Sequence, residues 1–423
     1  MPAERSTQNA RHLSAPLRAS VALVCAAFFL WCAWTAARAG ASRMVSDYAG
    51  RIRSKEAADA SVALAPSDPE AHYARGNALA DTGDYAGAAS AYEEALRLRP
   101  RDYVLWVELG KSREETGDTR GALESFRKAV ALAPFYARPR WQLGNALLRA
   151  GAREEAVREL RRAAESEPRL YPNLIQTLWP VSGREPRAFV LDAGPRTDDE
   201  TLAVVSFLIK EGEADEGLKA LRESGLRLNE EARKRLVKDL LAAERFADAY
   251  GVWAVGRAGG GPLEDGGFEE GAHTDEEGFG WRFATNVQNV RLSLDAAEPR
   301  EGALSLKVEY AGNSEPSQTP VSRLLAVEPG ARYRLTFFAR TKEVVTGGPP
   351  FVQVVSAAKS GEALAETAVL PASTDGWQGF ALEFTAPPAG AVRVALKRKS
   401  CATSPCPAFG AVWLDAFGLR RLE

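Results

Sequence analysis

A repeat with a period of 34 residues dominates the first half of this chain. Glycine, alanine and proline each recur at that interval between residues 76 and 168. The recurring positions are Gly76, Gly110 and Gly144; Ala88, Ala122 and Ala156; Ala95, Ala129 and Ala163; and Pro100, Pro134 and Pro168. Self-similarity at this period is typical of stacked helix–turn–helix units. Such an array presents a surface that holds another molecule, so the first question is what this surface holds.

The residues around each recurring glycine resemble a known family. The three stretches are Asn77-Ala78-Leu79, Leu109-Gly110-Lys111 and Leu143-Gly144-Asn145-Ala146-Leu147. This pattern resembles the tetratricopeptide repeat. Each closing proline is expected to end a second helix, because proline lacks an N–H and clashes with the preceding turn. The spacing predicts an α-solenoid over roughly residues 69–170, with residues 47–66 as a lone second helix that caps its N-terminal end.

The resemblance implies a groove that binds a protein partner. In that family the first helix of each unit lines the concave face, which places a small set of polar and aromatic side chains inward. The predicted groove residues are Tyr73, Asn77, Lys111, Arg138, Trp141 and Asn145. Asparagine and lysine beside an exposed aromatic suit an extended peptide or a C-terminal carboxylate. The alternative is that Trp141 packs against the neighbouring repeat.

Charge and histidine content exclude several functional classes. The formal net charge is -2, whereas a nucleic-acid-binding protein shows a strong basic excess. The three histidines, His12, His72 and His273, lie far apart in the sequence and form no catalytic or zinc-binding pattern. Glycoside hydrolysis needs two carboxylates at a defined separation, and no motif places such a pair. The sequence therefore predicts a protein that is not an enzyme.

An uncharged apolar stretch lies near the N-terminus. Residues 19–37 contain no charged side chain, and about 19 residues nearly span a bilayer core as a helix. We expect a single-pass inner-membrane anchor with the soluble part in the periplasm. Cleavage of a signal sequence at Ala37-Arg38-Ala39 is the alternative. Arginines flank the stretch on both sides, so the positive-inside rule leaves the orientation open.

Two cysteines near the C-terminus help to predict the cellular compartment of the soluble part. Cys401 and Cys406 enclose a four-residue loop that contains Pro405. Such a loop favours a local disulfide in an oxidising compartment. Two reduced cysteines in an exposed loop, or half of a metal site, are the alternatives. The disulfide interpretation supports the periplasmic orientation.

Composition and periodicity divide the rest of the chain into separate regions. A helical pattern without the repeat consensus continues over residues 171–258, which we interpret as degenerate repeats. Three glycines and Pro262 then form the clearest linker in the chain. The predicted regions are a tail and anchor at 1–41, repeats at 42–170, degenerate repeats at 171–258, a linker at 259–262 and a final domain at 263–423.

The final domain has a different period. Apolar residues alternate with polar ones in five stretches, separated by turns rich in glycine and proline. These stretches are residues 304–310, 333–340, 380–384, 392–396 and 411–415. Several short strands at such spacing predict an antiparallel β-sandwich. The predicted architecture is therefore an N-terminal transmembrane helix, a helical solenoid and a C-terminal jelly-roll.

A second resemblance concerns this domain. The motifs that carry it are Asp265-Gly266-Gly267-Phe268-Glu269, Phe279-Gly280-Trp281, Pro329-Gly330-Ala331-Arg332-Tyr333, Trp377 and Trp413-Leu414-Asp415. Their order resembles the carbohydrate-binding jelly-rolls of bacterial glycosidases, and the C-terminal domains of repeat proteins found with exopolysaccharide and O-antigen assembly systems. The resemblance implies a structural calcium ion bound by Glu269 and Asp415. The family often has a second acidic or amide residue after that aspartate, where this chain has Ala416.

Sugar binding requires exposed aromatic faces and planar hydrogen-bonding groups. Within residues 333–340, alternation places one set of side chains in the core and the other set outward. Phe338 and Arg340 belong to the outward set, and with Gln353 on an expected neighbouring strand they are the candidate glycan-binding residues. The alternative is that Phe338 packs under a loop and Arg340 forms an ion pair. Three tryptophans are expected in the core rather than on the surface: Trp281, Trp377 and Trp413.

These observations lead to two functional hypotheses. In the first, the chain is a membrane-anchored scaffold for assembling or exporting a cell-surface polysaccharide. Its repeats hold a partner protein, and its jelly-roll contacts the glycan. In the second, the chain is a general envelope adaptor for protein–protein interactions, and its jelly-roll binds no sugar.

Overall fold

The structure is a computed structural model that describes residues 15–256, 263, 265–271, 278–358, 362–402 and 404–423. It divides into two compact units, the first ending at Gly194 and the second beginning at Pro195. Helices come first along the chain and strands follow, which confirms the predicted α-then-β organisation. The predicted linker at 259–262, together with His12 and His273, lies outside the described residues.

The first unit is helical in its described part. Its helices are α1 Ala15–Ile52, α2 Lys55–Leu64, α3 Pro69–Asp81, α4 Tyr85–Leu98, α5 Tyr103–Glu115, α6 Thr119–Leu132, α7 Ala137–Arg149, α8 Arg153–Ser166, α9 Tyr171–Val181 and α10 Pro186–Ala193. Aspartates begin several of these helices. The carboxylates of Asp84 and Asp118 each accept a hydrogen bond of 2.9 Å from the amide three residues later, which satisfies an otherwise unpaired donor of the first turn.

The recurring glycines let the two helices of each repeat approach closely. A Cβ atom added to Gly76, Gly110 or Gly144 would lie closer than 3.0 Å to a large side chain of the following helix. Those side chains are Tyr92, Phe126 and Leu160, each 16 residues further on and each almost completely buried. Glycine is therefore needed at these positions because it leaves room for the large side chain, and none of the three has a left-handed backbone.

The N-terminal end of the repeats is a helix pair, so the predicted lone capping helix over residues 47–66 is wrong. Helix α1 continues unbroken through the expected boundary at residue 41 and ends at Ile52. The chain then turns at Arg53, whose φ is 53°, and Ser54 caps α2. Small residues on α1 pack on α2, where the buried Ser42 hydroxyl donates a 2.8 Å hydrogen bond to the Ser61 carbonyl. No proline interrupts α1 after residue 16, which is why the apolar stretch and the cap form one helix.

The second unit combines four helices with a β-sandwich in the part that is described. The helices are α11 Asp198–Lys210, α12 Ala214–Ser224, α13 Glu230–Ala242 and α14 Phe246–Trp253. The strands are β1 Trp281–Phe283, β2 Val290–Asp295, β3 Ser305–Asn313, β4 Val321–Ala326, β5 Arg332–Thr346, β6 Pro350–Ser356, β7 Ala363–Glu366, β8 Gln378–Thr385, β9 Ala391–Arg398 and β10 Pro407–Arg421. The boundary at residue 194 separates α9 and α10 from α11 to α14, which the sequence had grouped together.

The strands form two antiparallel sheets. The first sheet has the order β1-β4-β9-β6-β7 and the second has the order β2-β3-β10-β5-β8. Alternate side chains of both sheets fill the space between them, as expected for a sandwich. On β5 these are Tyr333, Leu335, Phe337 and Ala339, so the core face predicted for this strand is confirmed. The rings of Phe337 and Phe417 stack in this core with centroids 4.9 Å apart.

The helices of the second unit cover part of the outer face of the first sheet. Leu324 on β4 and Ala391 on β9 belong to one buried apolar cluster with residues of α11 to α14. Phe279, just before β1, joins this cluster, and its ring centroid lies 5.7 Å from that of Trp253. A sandwich normally exposes this face to water. Here the apolar outward positions are buried, so these helices and the sandwich share a core.

We predict that replacing Gly110 with alanine destabilises the first unit by about 1–3 kcal/mol, because the added methyl group overpacks the site against Phe126. Gly50→Ala is the matched control, since nothing lies within 4 Å of its added Cβ, and removal of a helical glycine there stabilises by roughly 0.5–1 kcal/mol. Chemical denaturation of both variants measures the difference. Equal effects of the two substitutions would contradict the packing role.

We also predict that Leu324→Ala destabilises the second unit by about 2–5 kcal/mol, because it removes buried apolar contacts with the helices. Val345→Ala removes an apolar side chain that is 67% exposed, and it should change stability by less than about 0.5 kcal/mol. Thermal unfolding followed by calorimetry compares the two. If Leu324→Ala behaves like Val345→Ala, the helices do not cover this face.

Candidate binding sites

The predicted groove residues of the repeats lie on α3, α5 and α7, and several of them have partners within the unit. The Tyr92 hydroxyl donates a 2.8 Å hydrogen bond to Oδ1 of Asn77, and the Tyr73 ring lies 6.1 Å from that of Tyr92. Burial and, second, the negative charge of Glu108 raise the pKa of Tyr92 far above its usual range, so its hydroxyl remains a donor. Trp141 and Asn145 are half-buried.

The two predicted cations of the groove both pair with one carboxylate. Lys111 lies 3.1 Å from Glu108, and Arg138 forms an ion pair with the same side chain. Only 14% of the Glu108 side chain is exposed, so it holds both cations at a partly buried position. Sequence reasoning missed Glu108, although it stands three residues before Lys111 on the same helix face. A C-terminal carboxylate would have to compete with Glu108 for these cations.

A cavity of about 670 Å³ lies beside these residues, and its wall is mainly acidic. Its charged lining residues are Asp81, Glu108, Lys111, Glu114, Glu115 and Arg149. Arg149 pairs with Glu114 at 2.7 Å. Glu115 is exposed, and the structure gives it no ion pair with another described residue. Arg53 pairs with Asp81, and Arg138 pairs with Glu108. Among the four lining carboxylates, Glu115 is therefore the one that has no ion pair with a described residue and can receive a basic segment of a partner.

On the sandwich, Phe338 and Arg340 lie on the outer face of the second sheet, and both make contacts within the protein. The Arg300 guanidinium lies 4.4 Å above the Phe338 ring. Arg340 forms an ion pair with Glu298, and only 18% of its side chain is exposed. The proposed sugar-binding groups of these two residues are thus largely covered by their neighbours.

Gln353 does not share this face. It lies on β6, which belongs to the first sheet, between β9 and β7. Its neighbours along the strand, Val352 and Val354, point into the core, so Gln353 is on the outer face of the first sheet. The expectation that its strand is adjacent to β5 is wrong, because the chain crosses from one sheet to the other after Thr346. The three candidate glycan residues therefore form no single site.

The tryptophans take three different positions. Trp281 is in the sandwich core, as expected, with its ring 4.6 Å from that of Phe268. Trp413 is buried on the outer face of the second sheet, where the Arg340 guanidinium lies 4.5 Å from its ring. Trp377 is half-buried and lies 5.5 Å from the same guanidinium. The expectation that all three fill the core is thus wrong for Trp413 and Trp377, which enclose Arg340.

Hydrogen bonds fix this aromatic layer in place. The Trp413 indole donates a 2.7 Å hydrogen bond to Asp295, and this bond lowers the pKa of the Asp295 carboxyl group. The Trp377 indole donates to the Glu298 carbonyl at 3.2 Å. A cavity of about 680 Å³ lies next to Trp413, with both lysines and glutamates in its wall. The face combines aromatic and charged groups, but its central cation is already paired.

Glu269 and Asp415, the predicted calcium ligands, are brought together by the fold. Both carboxylates face Gly267, at 3.6 and 3.5 Å from the position of an added Cβ atom. Glu269 accepts hydrogen bonds from the amides of Ala303 and Leu304 at 2.9 and 3.1 Å. Burial, opposed by hydrogen bonds from backbone amides, raises the pKa of Asp415, and the negative charge of Glu269 raises it further.

The donor chemistry of this pair fits a hard cation. Carboxylate oxygens are typical calcium ligands, and backbone carbonyls complete such sites. Asp415 is completely buried, and the Ala416 amide donates a 2.6 Å hydrogen bond to its Oδ1. Within the described ranges no group of three or more His, Cys, Asp or Glu side chains has metal-binding geometry. Any further ligands from the described residues would have to be backbone carbonyls or uncharged side-chain oxygens.

The two C-terminal cysteines are joined. Cys401 and Cys406 form a disulfide with Cα atoms 5.7 Å apart, between β9 and β10. Arg398 lies beside this loop and donates hydrogen bonds to the carbonyls of Cys406 and Gly348 at 3.1 and 3.0 Å. The disulfide and this arginine together tie the loop to the strands.

Comparisons with known proteins identify the family of the repeats. Two family models of the tetratricopeptide repeat match this chain, one at residues 69–102 and the other at residues 113–175. These residues are tetratricopeptide repeats. The array therefore carries the type of unit that binds proteins, and this part of the predicted function is confirmed. The comparison with curated proteins gives no match.

Solved structures resemble each part of the chain separately. MamA from Desulfovibrio magneticus RS-1 is 19% identical over 44% of this chain and 92% of its own, with a TM-score of 0.30. YrrB, described as a TPR protein with an unusual peptide-binding site, is 21% identical over 44% of this chain and 90% of its own, with a TM-score of 0.32.

The third structure is TmCBM61 in complex with β-1,4-galactotriose. It is 15% identical over 39% of this chain and 100% of its own, with a TM-score of 0.29. All three TM-scores are below 0.5, so these likenesses say nothing about the ligand or partner of this chain.

Proposed function

We propose that this chain is a non-enzymatic, membrane-anchored scaffold that holds a partner protein in its repeats and a glycan on its sandwich. It would act in the assembly or export of a cell-surface polysaccharide. The observation that supports the scaffold role most directly is the acidic cavity beside the tetratricopeptide groove. The polysaccharide role rests on the order of the parts and on the resemblance of the sandwich motifs to carbohydrate-binding jelly-rolls.

The partner for the repeats is a basic, extended protein segment. Lys111 and Arg138 both pair with Glu108, so an acidic peptide or terminal carboxylate would have to compete with Glu108 for these cations. Glu115, in contrast, contributes negative charge to the cavity. Complementary charge of this kind guides association and disfavours partners of the wrong sign.

The membrane location rests on α1 and on the disulfide. Between Ala19 and Ile52 this helix is long and apolar enough to cross a bilayer by length and composition, and a signal sequence meets the same criteria. Its apolar side chains are exposed, among them Phe29, Leu30 and Trp34. The disulfide between Cys401 and Cys406 favours an oxidising compartment for the soluble part. An uncleaved anchor with the bulk of the chain outside the cytoplasm accounts for both features.

One specific observation favours the alternative function, a general envelope adaptor. Phe338 and Arg340 are engaged by Arg300 and Glu298, so the face that sequence reasoning assigned to sugar is already covered. If no other surface of the sandwich binds glycan, only the protein-binding role of the chain remains.

A structural calcium ion is part of the proposal, held by Glu269 and Asp415. We predict that calcium raises the melting temperature of the wild-type chain and leaves that of Asp415→Asn unchanged. Because ligands must be deprotonated to bind a metal, the stabilisation should shrink as the pH falls toward the raised pKa of Asp415. Magnesium serves as the control cation, since it requires a smaller octahedral site. Equal calcium responses of wild type and variant would exclude this site.

The functional proposal is tested by affinity purification of the tagged full-length chain from detergent-solubilised membranes, followed by mass spectrometry. We expect a polysaccharide polymerase, ligase or export component that carries a basic segment, and we expect Glu115→Lys to lose it. Glu154→Lys, which reverses an exposed charge on α8 outside the cavity, is the matched control and should retain the partner.

Two results would contradict this proposal. Recovery of unrelated envelope proteins without any polysaccharide machinery would favour the general adaptor. Retention of the partner by Glu115→Lys would place the binding surface elsewhere on the chain.

A further inference from the structure

Two arginines on the outer face of the first sheet line the same clefts and have no ion-pair partner among the described residues. Arg282 lies on β1 between the core residues Trp281 and Phe283, so its side chain points away from the core. Arg393 lies on β9 between Val392 and Val394, which also point into the core. Both arginines therefore share the outward face.

Strand β4 lies between the strands of the two arginines. In the register of the sheet, Ser322 is opposite Arg282 and Leu324 is opposite Arg393, so the two arginines are offset by two residues along the sheet. Their side chains reach across β4 to line the same two clefts. Burial lowers the pKa of Arg393, and the positive charge of Arg282 lowers it further.

No carboxylate compensates this charge among the described residues. The structure gives neither Arg282 nor Arg393 a salt bridge or a side-chain hydrogen bond within the described part of the chain. Both arginines line two adjoining clefts of about 420 and 370 Å³, and neither cleft has an acidic residue in its described wall. Arg282 is exposed, whereas Arg393 is half-buried, and a partly buried charge destabilises a fold unless something pairs with it. An external anion would supply the missing partner.

The larger cleft has polar side chains that can form hydrogen bonds with hydroxyl groups, in addition to the arginines that can bind an anion. Its polar wall residues besides the arginines are Thr285, Asn286, Gln318, Thr319 and Ser322. Oε1 of Gln318 is buried and has no hydrogen-bond partner in the part of the chain that the structure describes. A buried acceptor of this kind is costly unless a donor reaches it. The ligand that satisfies the whole cleft thus carries an anionic group for the arginines and an O–H donor for Gln318.

We propose that this cleft binds an acidic sugar, with the carboxylate of a uronic acid on Arg282 and Arg393 and a ring hydroxyl on Gln318. Guanidinium groups bind carboxylates with paired, charge-assisted hydrogen bonds. The cleft is distinct from the face that contains Phe338 and Arg340, because it lies on the other sheet. This proposal specifies the class of glycan. It rests on the proposed scaffold function only in taking the cell-surface polysaccharide as the source of the acidic sugar.

Calorimetric titration of the full-length chain in detergent tests this inference. The probe is an oligosaccharide containing glucuronic acid, and the matched probe is the same oligosaccharide after chemical reduction of its carboxyl groups. We expect binding of the acidic form and at least about tenfold weaker binding of the reduced form, since each charge-assisted hydrogen bond contributes strongly. Binding of the acidic form should also weaken as salt is added.

Variants locate the site. Arg282→Gln and Arg393→Gln should each weaken binding at least about tenfold, and Gln318→Leu should weaken binding of the sugar but not of inorganic phosphate. Arg334→Gln, at an exposed arginine of the second sheet, is the control and should bind like wild type. Arg393→Gln should leave the melting temperature unchanged or higher, because it removes an unpaired charge. A structural role for Arg393 would instead lower it.

Three outcomes would overturn the proposal. Equal binding of the acidic and reduced oligosaccharides would show that the carboxylate is not recognised. Retained binding by Arg282→Gln and Arg393→Gln would place the glycan elsewhere. Equal loss of phosphate and sugar binding on Gln318→Leu would exclude a hydroxyl contact. Affinity purification with the doubly substituted chain separates this inference from the scaffold function, since loss of glycan binding should leave the protein partner of the repeats in place.

Discussion

The packing of helices on the outer face of the first sheet determines which surfaces of the sandwich remain for binding. Leu324 and Ala391 point outward from their strands, yet both are buried in a cluster that also contains Trp253 and Phe279. This contact makes helices α11 to α14 part of the same compact unit as the sheets. Beside these helices, Arg282 on the edge strand β1 and Arg393 on the central strand β9 line open clefts. The outer face of the second sheet holds a paired cation between two tryptophans.

The two units differ in the sign of the charge that is left without an ion pair among the described residues. In the repeats, Glu108 pairs with both cations that sequence reasoning assigned to the groove. Glu115, which has no ion pair with another described residue, adds an exposed negative charge to the neighbouring cavity. On the first sheet the imbalance is opposite, because two arginines share a cleft without a described carboxylate. A protein that leaves charge uncompensated at a partly buried position loses stability there, and binding is a physical reason to retain it. The acidic and basic sites therefore point to two different ligands.

Local patterns predicted most of the elements, and pairing between distant strands accounts for most of the errors. The 34-residue period located the repeats because glycine recurs where Tyr92, Phe126 and Leu160 need space. Alternation assigned the core face of β5 correctly. It could not tell that β6 joins the other sheet, which removed Gln353 from the candidate site. Arg282 and Arg393 are outward residues of strands far apart in the sequence, and only the strand order β1-β4-β9 shows that they line the same clefts. The continuous α1 was missed because the apolar stretch at 19–37 and the capping region at 47–66 were treated as separate elements, although no proline lies between them.

Hydrogen–deuterium exchange of the full-length chain, with and without the acidic oligosaccharide, tests the central claim most directly. The claim is that the sandwich binds its ligand at the edge of the first sheet and not on the aromatic face of the second. The account predicts slower exchange in the loops at residues 284–289 and 314–320, with no change around Trp413. Slower exchange confined to β3, β5 and β10, or no change anywhere in the sandwich, would contradict it.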